Sequence, residues 1–118
     1  MVEHKDFHNS IKKKMDEYAH CVYRLTKSFP KDEIFGLTSQ LRRAVLSVVL
    51  NYIEGYARGQ GKANENFLNI SFGSLQESKY LLEFCLVENI IDQPDADKVL
   101  ALADEIGAIL WSLIHKSK

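Results

Sequence analysis

Lysines and arginines are the residues with the clearest chemical use in this chain, because they bind phosphate. The net charge is only -1, but residues 1–62 hold 11 Lys and Arg against 7 Asp and Glu, whereas residues 63–118 hold 4 against 9. A basic surface of this kind, repeated in an assembly, attracts nucleic acid. For any single lysine, a solvated surface of mixed charge is the alternative interpretation. The candidates for nucleic-acid binding are Lys12, Lys13, Arg42, Arg43, Arg58 and Lys62.

Catalytic chemistry has little support in the sequence. A di-iron bundle uses Glu-x-x-His on two helices, and the chain has no such pair. The GQGK segment at 59–62 lacks the length and the preceding strand of a phosphate-binding loop. The histidines lie near the chain ends or at outer helix positions, and they are His4, His8, His20 and His115. We therefore predict a protein that is not an enzyme and that uses no metal, cofactor or small-molecule substrate.

The cysteines and the overall hydropathy bear on the cellular compartment. Cys21 and Cys85 lie in helical patterns without a Cys-x-x-Cys motif, which favours buried, reduced thiols. No apolar run approaches the roughly 20 residues that span a bilayer, and the first ten residues resemble no secretion signal. We expect a cytoplasmic protein without membrane contact.

Hydrophobic periodicity divides the chain into four helices. Apolar residues recur at steps of three and four, which places them on one face of a helix. Phe29-Pro30 ends the first helix, and the glycines in segment 59–61 end the second. Short connections between such helices favour an all-α, antiparallel, up-down-up-down four-helix bundle. The expected helices lie at about 6–28, 38–59, 64–89 and 95–116, within one domain spanning 1–118.

Residues suited to capping mark where three of these helices begin. Asp32 or Thr38 can cap the turn that opens the second helix, and Asn64 can cap the third. The Asp92–Asp95 segment, with Pro94 in it, is a loop followed by a helix start.

The second helix is apolar around almost its whole circumference, so it must be buried from more than one side. One side is covered by its own bundle, and the other is most simply covered by a second copy of the chain. The chain has more apolar residues than the interior of one four-helix bundle can bury. The excess predicts a subunit interface that includes Phe35, Leu37, Leu46, Leu50 and Trp111.

A polar stripe interrupts this helix at Gln40, Arg43, Ser47, Asn51, Glu54 and Arg58. It is either a nucleic-acid surface or a polar seam that fixes the register between helices or subunits. The seam is the favoured interpretation for Asn51 and Glu54, because Glu54 has Arg58 one turn on. Arg42 and Arg43 point about 100° apart on a helix, so we expect one of them at the surface.

The third helix has a glycine, Gly73, in its middle, where glycine is unfavourable. Glycine costs about 1 kcal/mol relative to alanine in a helix interior. Gly73, followed by Ser74, therefore indicates close approach by another backbone or a large side chain. Ser71 and Ser78 extend this edge of small residues.

The central part of the chain resembles the four-helix-bundle proteins encoded in intervening sequences of bacterial 23S rRNA genes. The resemblance is close over residues 29–77, whereas the first and fourth helices match only in pattern. The matching positions are Phe29-Pro30, Glu33, Gly36-Leu37, Gln40-Leu41-Arg42-Arg43-Ala44, Ser47, Asn51, Glu54-Gly55, Arg58, Phe67-Leu68 and Gly73-Ser74-Leu75-Gln76-Glu77.

One departure from the family pattern lies in the second helix. The family commonly has Ser-Ile-Pro-x-Asn-Ile-Ala-Glu-Gly, where this chain has Ser-Val-Val-Leu-Asn-Tyr-Ile-Glu-Gly at 47–55. The proline is absent, so we expect a helix without its kink.

The resemblance implies a ring-shaped homo-oligomer, usually a pentamer, without catalytic activity. Related bundle proteins are accessory subunits of reverse transcriptases in diversity-generating retroelements, where a basic pentamer engages the polymerase and its RNA. Two hypotheses follow. The preferred one is a homo-oligomer whose basic surface binds RNA or an RNA-handling enzyme such as a reverse transcriptase. The alternative is a scaffold that binds only protein.

Overall fold

Four helices and no strand make up the part of the chain described by this computed structural model, which is residues 2–116, with side chains from residue 5 onward. The all-α prediction is therefore confirmed. A short 3-10 helix at Lys31–Glu33 joins the first two helices. The four helices are α1 (Val2–Thr26), α2 (Leu37–Ala57), α3 (Lys62–Val87) and α4 (Gln93–His115).

The start of α4 follows the sequence signal, whereas the starts of α2 and α3 do not. Asp92 caps α4, since its Oδ1 atom accepts a hydrogen bond of 2.9 Å from the Asp95 amide. Neither Asp32 nor Thr38 caps α2. Its first amide, at Leu37, instead donates to Glu33 Oε1 at 3.2 Å.

The expected cap of α3 was also wrong. Gly61 occupies the cap position with a φ of 114°, a conformation that favours glycine. Asn64 lies inside the first turn, and its Nδ2 atom donates to the Gly55 carbonyl at 2.7 Å. Asn64 therefore joins α3 to the last turn of α2.

Each helix contacts the next one along the chain, and α4 contacts α1. The buried side chains come from all four helices and form one core. Fully burying a large aliphatic side chain contributes about 1.5–3 kcal/mol, so this core is the main source of stability. Its largest fully buried side chains include Met15, Tyr18, Leu41, Val45, Leu75, Leu82, Ile106 and Leu110.

A hydrogen bond crosses the middle of this core. The Tyr18 hydroxyl of α1 lies 2.7 Å from Ser78 Oγ of α3, and both residues are fully buried. Ser78 Oγ also donates to the Leu75 carbonyl at 2.8 Å. The bond satisfies the one polar atom of the tyrosine side chain, so the ring can fill the core without an unpaired hydroxyl.

Small residues bring α2 and α3 close together, but Gly73 is not the residue that permits it. A Cβ atom built at Gly55 would lie 3.2 Å from Phe67 Cβ and 3.3 Å from the Asn64 carbonyl oxygen, whereas one built at Gly73 would meet nothing within 4 Å. The close approach expected at Gly73 is therefore absent within the chain. Gly55 makes it instead, and Ser71 supports it by donating to the Val48 carbonyl at 2.7 Å.

Candidate functional surfaces

The candidate nucleic-acid residues do not form one compact patch on a single chain. Lys12 and Lys13 are exposed on α1, and Lys62 is exposed at the first position of α3. Arg43 and Arg58 are both exposed, but 15 positions of α2 separate them, which corresponds to about 22 Å along the helix. A ligand that contacts all of these cations must be large or must span more than one copy.

Arg42 differs from the other candidates because its guanidinium packs against α1. Its Nε atom donates to Thr26 Oγ1 at 2.8 Å, and its Cζ atom lies 4.5 Å from the centre of the Tyr23 ring. The bond and the cation–π contact tie the start of α2 to the end of α1. Arg43 is the exposed member of the pair.

The polar stripe of α2 divides between helix packing and solvent. The Asn51 amide donates to the Ser47 carbonyl at 2.8 Å, and Ser47 Oγ lies 2.7 Å from Ser74 Oγ of α3. Ser47 therefore joins α2 to α3, whereas these bonds of Asn51 run to Ser47 of its own helix, so the seam role of Asn51 and Glu54 stays a prediction. Gln40 is exposed.

The last two residues of the polar stripe, Glu54 and Arg58, form an ion pair. Glu54 lies in the last turn of α2 and Arg58 directly after the helix ends, with a separation of 2.9 Å between them, and both side chains are about half exposed. The Arg58 guanidinium also lies 5.3 Å from the centre of the Phe67 ring. Such an exposed pair contributes at most about 1 kcal/mol, so Arg58 can exchange its partner for a phosphate at little cost.

Large hydrophobic side chains remain exposed on the single chain. The exposed fraction reaches 94% at Phe35, and Leu46, Leu50 and Trp111 are exposed as the sequence predicted, whereas Leu37 is half-buried. Further exposed apolar residues, chiefly on α3, were not predicted from the sequence. The signal for them was a repeat of alternating steps of three and four along the outer side of that helix. The additional exposed residues are Phe7, Ile34, Ile53, Ile70, Tyr80, Phe84 and Val87.

A groove of about 200 Å³ lies beside this exposed surface, between α1 and α2. Its lining is mostly apolar and comes from Asp16, Ala19, His20, Tyr23, Leu46, Val49 and Leu50. The only carboxylate in the lining, that of Asp16, lies 3.4 Å from His20 Nε2. The groove therefore suits an apolar side chain better than a polar substrate.

The described residues bring together no three His, Cys, Asp or Glu side chains that could hold a metal ion. Both thiols are buried and free. Among residues 2–116, no helix has the length and hydropathy needed to cross a bilayer.

Burial raises the pKa of several hydroxyls and thiols. It raises the pKa of Cys85 from 9.0 to about 11 and that of Cys21 above 9.0. Desolvation likewise raises the pKa of Tyr18 and of Tyr52 from 10.0 to about 12, and the hydrogen bond between Tyr18 and Ser78 opposes the change at Tyr18. Each group therefore stays protonated in the folded chain at a pH where the unfolded chain has lost the proton.

We predict that alkaline pH destabilises the protein for this reason. The stabilisation is complete below about pH 9, the unfolded pKa of Cys85, and it is lost as the pH rises towards 11 and 12. Urea unfolding followed by circular dichroism between pH 7 and pH 11 measures this. Cys85→Ala should reduce the decline that begins near pH 9 to the contribution of Cys21 and leave the tyrosine part above pH 10. A free energy of unfolding that is constant up to pH 11 would contradict the prediction.

Comparison with known proteins agrees with this arrangement of helices. The family model for the 23S rRNA-intervening sequence protein matches residues 8–112. A crystal structure from Bacteroides thetaiotaomicron, described as a protein of unknown function from the S23 ribosomal protein family, is 24% identical in sequence. It superimposes with a TM-score of 0.82 and covers 89% of this chain and 98% of its own. At that identity the likeness shows the fold alone. No curated protein matches the chain.

Proposed function

Since the chain belongs to the 23S rRNA-intervening sequence protein family, with its family model matching residues 8–112, we propose that it is a non-catalytic homo-oligomer that binds RNA or an RNA-handling enzyme. The bundle in this proposal is antiparallel, with its helices running up, down, up and down. The short links between consecutive helices support this topology, as does the contact of α4 with α1.

The observation that carries the proposal is the exposed apolar surface. Monomeric soluble proteins rarely expose contiguous apolar patches larger than a few hundred Å². Here Phe35, Leu50, Val87 and Trp111 are each more than half exposed. A closed ring of identical copies covers such surfaces while leaving the molecule soluble. We propose a pentameric ring, in keeping with the family resemblance.

The proposed ligand is structured RNA, bound through the exposed cations of the first three helices. A ring repeats Lys13, Arg58 and Lys62 once per copy, which turns dispersed charges into a large basic surface. If the partner is an enzyme, the protein acts as an accessory subunit of a reverse transcriptase in a diversity-generating retroelement. In that role the same surface contacts the template RNA.

Salt dependence of RNA binding tests the proposal. We expect the affinity for a hairpin-rich ribosomal RNA fragment to fall steeply between about 50 and 200 mM salt. The double variant Lys13→Ala, Lys62→Ala should reduce the slope of log K against log salt by about 0.7–0.9 for every phosphate that a copy of the protein no longer binds. Lys98→Ala is the matched control, because Lys98 is an exposed lysine of α4, in the acidic half of the chain.

Fluorescence anisotropy with the labelled RNA fragment gives the affinity at each salt concentration. Equal slopes for the double variant and the control would remove these lysines from the RNA surface. A protein that binds no RNA at 50 mM salt but still assembles would be the scaffold that binds only protein.

A further inference from the structure

The outer side of α3 carries a repeat that its own bundle does not use. Its positions alternate between steps of three and four, which is the 3.5-residue spacing of a helix that packs along a partner. All six positions are exposed, and the exposed fraction is 63% at Tyr80 and 76% at Val87. We call this set the α3 seam, and its members are Ile70, Gly73, Glu77, Tyr80, Phe84 and Val87.

Gly73 gives the seam a shape suited to packing. The space beside it is open, since an added Cβ atom would meet nothing within 4 Å. With only a hydrogen atom as its side chain, Gly73 leaves the surface of α3 low between Ile70 and Glu77, where a side chain of another copy can approach the helix backbone. The seam extends for about 26 Å, which is 17 helical steps from Ile70 to Val87.

Basic residues border the groove between α1 and α2, although the one carboxylate in its lining is that of Asp16. Lys12 is one turn before the groove residue Asp16, Lys27 is one turn after Tyr23, and Arg43 is three positions before Leu46. These spacings place the three exposed cations on the groove side of their helices.

Beside the seam the exposed charges are acidic. They belong to Glu77, Glu83 and Glu88. The lysine of α3 nearest to them, Lys79, forms an ion pair with Asp104 of α4 at 2.6 Å.

We propose that the α3 seam of one copy packs into the α1–α2 groove of the next copy. This inference rests on the proposed homo-oligomer and specifies its interface. Pairing two seams would place Glu77 and Glu83 against their own copies, and pairing two grooves would oppose the lysines. Only contact between seam and groove brings the unlike charges together. A contact between two different surfaces continues from copy to copy, and it closes into a ring when the rotation between neighbouring copies divides a full turn evenly.

The interface also divides the cations between two roles. Lys12 and Arg43 lie at the rim of the contact between copies. Lys13, Arg58 and Lys62 remain for nucleic acid. Leu50, which is 61% exposed beside the groove, becomes buried against the seam.

Complementation between two variants tests the inference. The seam variant is Tyr80→Glu, Phe84→Glu, and the groove variant is Leu50→Glu. All three positions are exposed in the single chain, so each variant should keep its helical circular dichroism. Sedimentation velocity should give a single-chain mass of 13.5 kDa for each variant alone. An equimolar mixture should give a species of twice that mass, because each variant retains the surface that is disrupted in the other.

The matched control is Phe7→Glu, which places the same charge at an exposed aromatic position of α1 and should leave assembly unchanged. Wild-type protein that is itself monomeric would overturn the proposed function and the inference together. An assembled seam variant would overturn the inference alone. A monomeric seam variant beside an assembled groove variant would mean that two seams pair with each other, which also overturns it.

Discussion

Replacing Tyr18 by alanine should lower the free energy of unfolding by about 3–5 kcal/mol, the range for losing a large aromatic side chain from a packed core. Tyr18 is fully buried and is among the largest side chains of the core. Its ring occupies the middle of the bundle, and its hydroxyl reaches Ser78 on α3. The substitution removes both the packing and a hydrogen bond between helices. Urea unfolding monitored by circular dichroism, at one fixed protein concentration, measures the loss.

Tyr18→Phe separates the two contributions. It keeps the ring and removes only the hydroxyl, so we expect a loss of about 0.5–1.5 kcal/mol. Ser78 Oγ keeps its bond to the Leu75 carbonyl, which limits the cost of the missing partner. If Tyr18→Ala cost no more than Tyr18→Phe, packing at the centre of the bundle would not be the source of stability inferred from burial.

Replacing Gly55 by leucine should lower the free energy of unfolding by about 1–3 kcal/mol, which is typical of an overpacked contact. The new Cβ atom would lie 3.2 Å from Phe67 Cβ and 3.3 Å from the Asn64 carbonyl oxygen. The latter atom belongs to a helix backbone, which cannot move without separating α2 from α3. The hydrogen bond from Asn64 to the Gly55 carbonyl should break in the process.

Gly73→Ala provides the matched control, because it changes a helical glycine that has open space around it within the single chain. Both glycine substitutions are made in the Tyr80→Glu, Phe84→Glu variant, so that packing of another copy against the α3 seam does not contribute. Alanine is the better helix former by about 1 kcal/mol, so this variant should be equally stable or more stable. Thermal and urea unfolding of both variants give the comparison. A Gly73→Ala variant that is less stable than Gly55→Leu would reverse our assignment of the close helix contact.

The helices were predictable from sequence because their signals are local. Apolar spacing, Phe29-Pro30 and the glycines at 59 and 61 depend on neighbouring residues, and so does the cap at Asp92. The misassigned cap at Asn64 shows where local signals fail. The Asn64 side chain could either cap the first turn of α3 or bind the Gly55 carbonyl. That carbonyl comes within reach only when α2 and α3 have packed together.

The candidate surfaces were less predictable, because they depend on how each helix is rotated in the bundle. Gly55 and Gly73 are both helical glycines, and only the packing decides which of them faces a neighbour. Arg42 and Arg43 are adjacent arginines, and the contacts with Thr26 and Tyr23 select the one that turns inward. The α3 seam could not be predicted, because the apolar character of a residue does not tell whether it faces the core or the outer side of the bundle.

The native mass of the purified protein tests the central proposal most directly. We predict a mass of five chains, each of 13.5 kDa, in a native mass spectrum recorded from low salt. Additional mass that disappears on ribonuclease treatment would support the RNA ligand as well. A single-chain mass at micromolar concentration would contradict the proposed homo-oligomer, because the exposed apolar side chains of α2 and α3 would then face solvent in the functional protein.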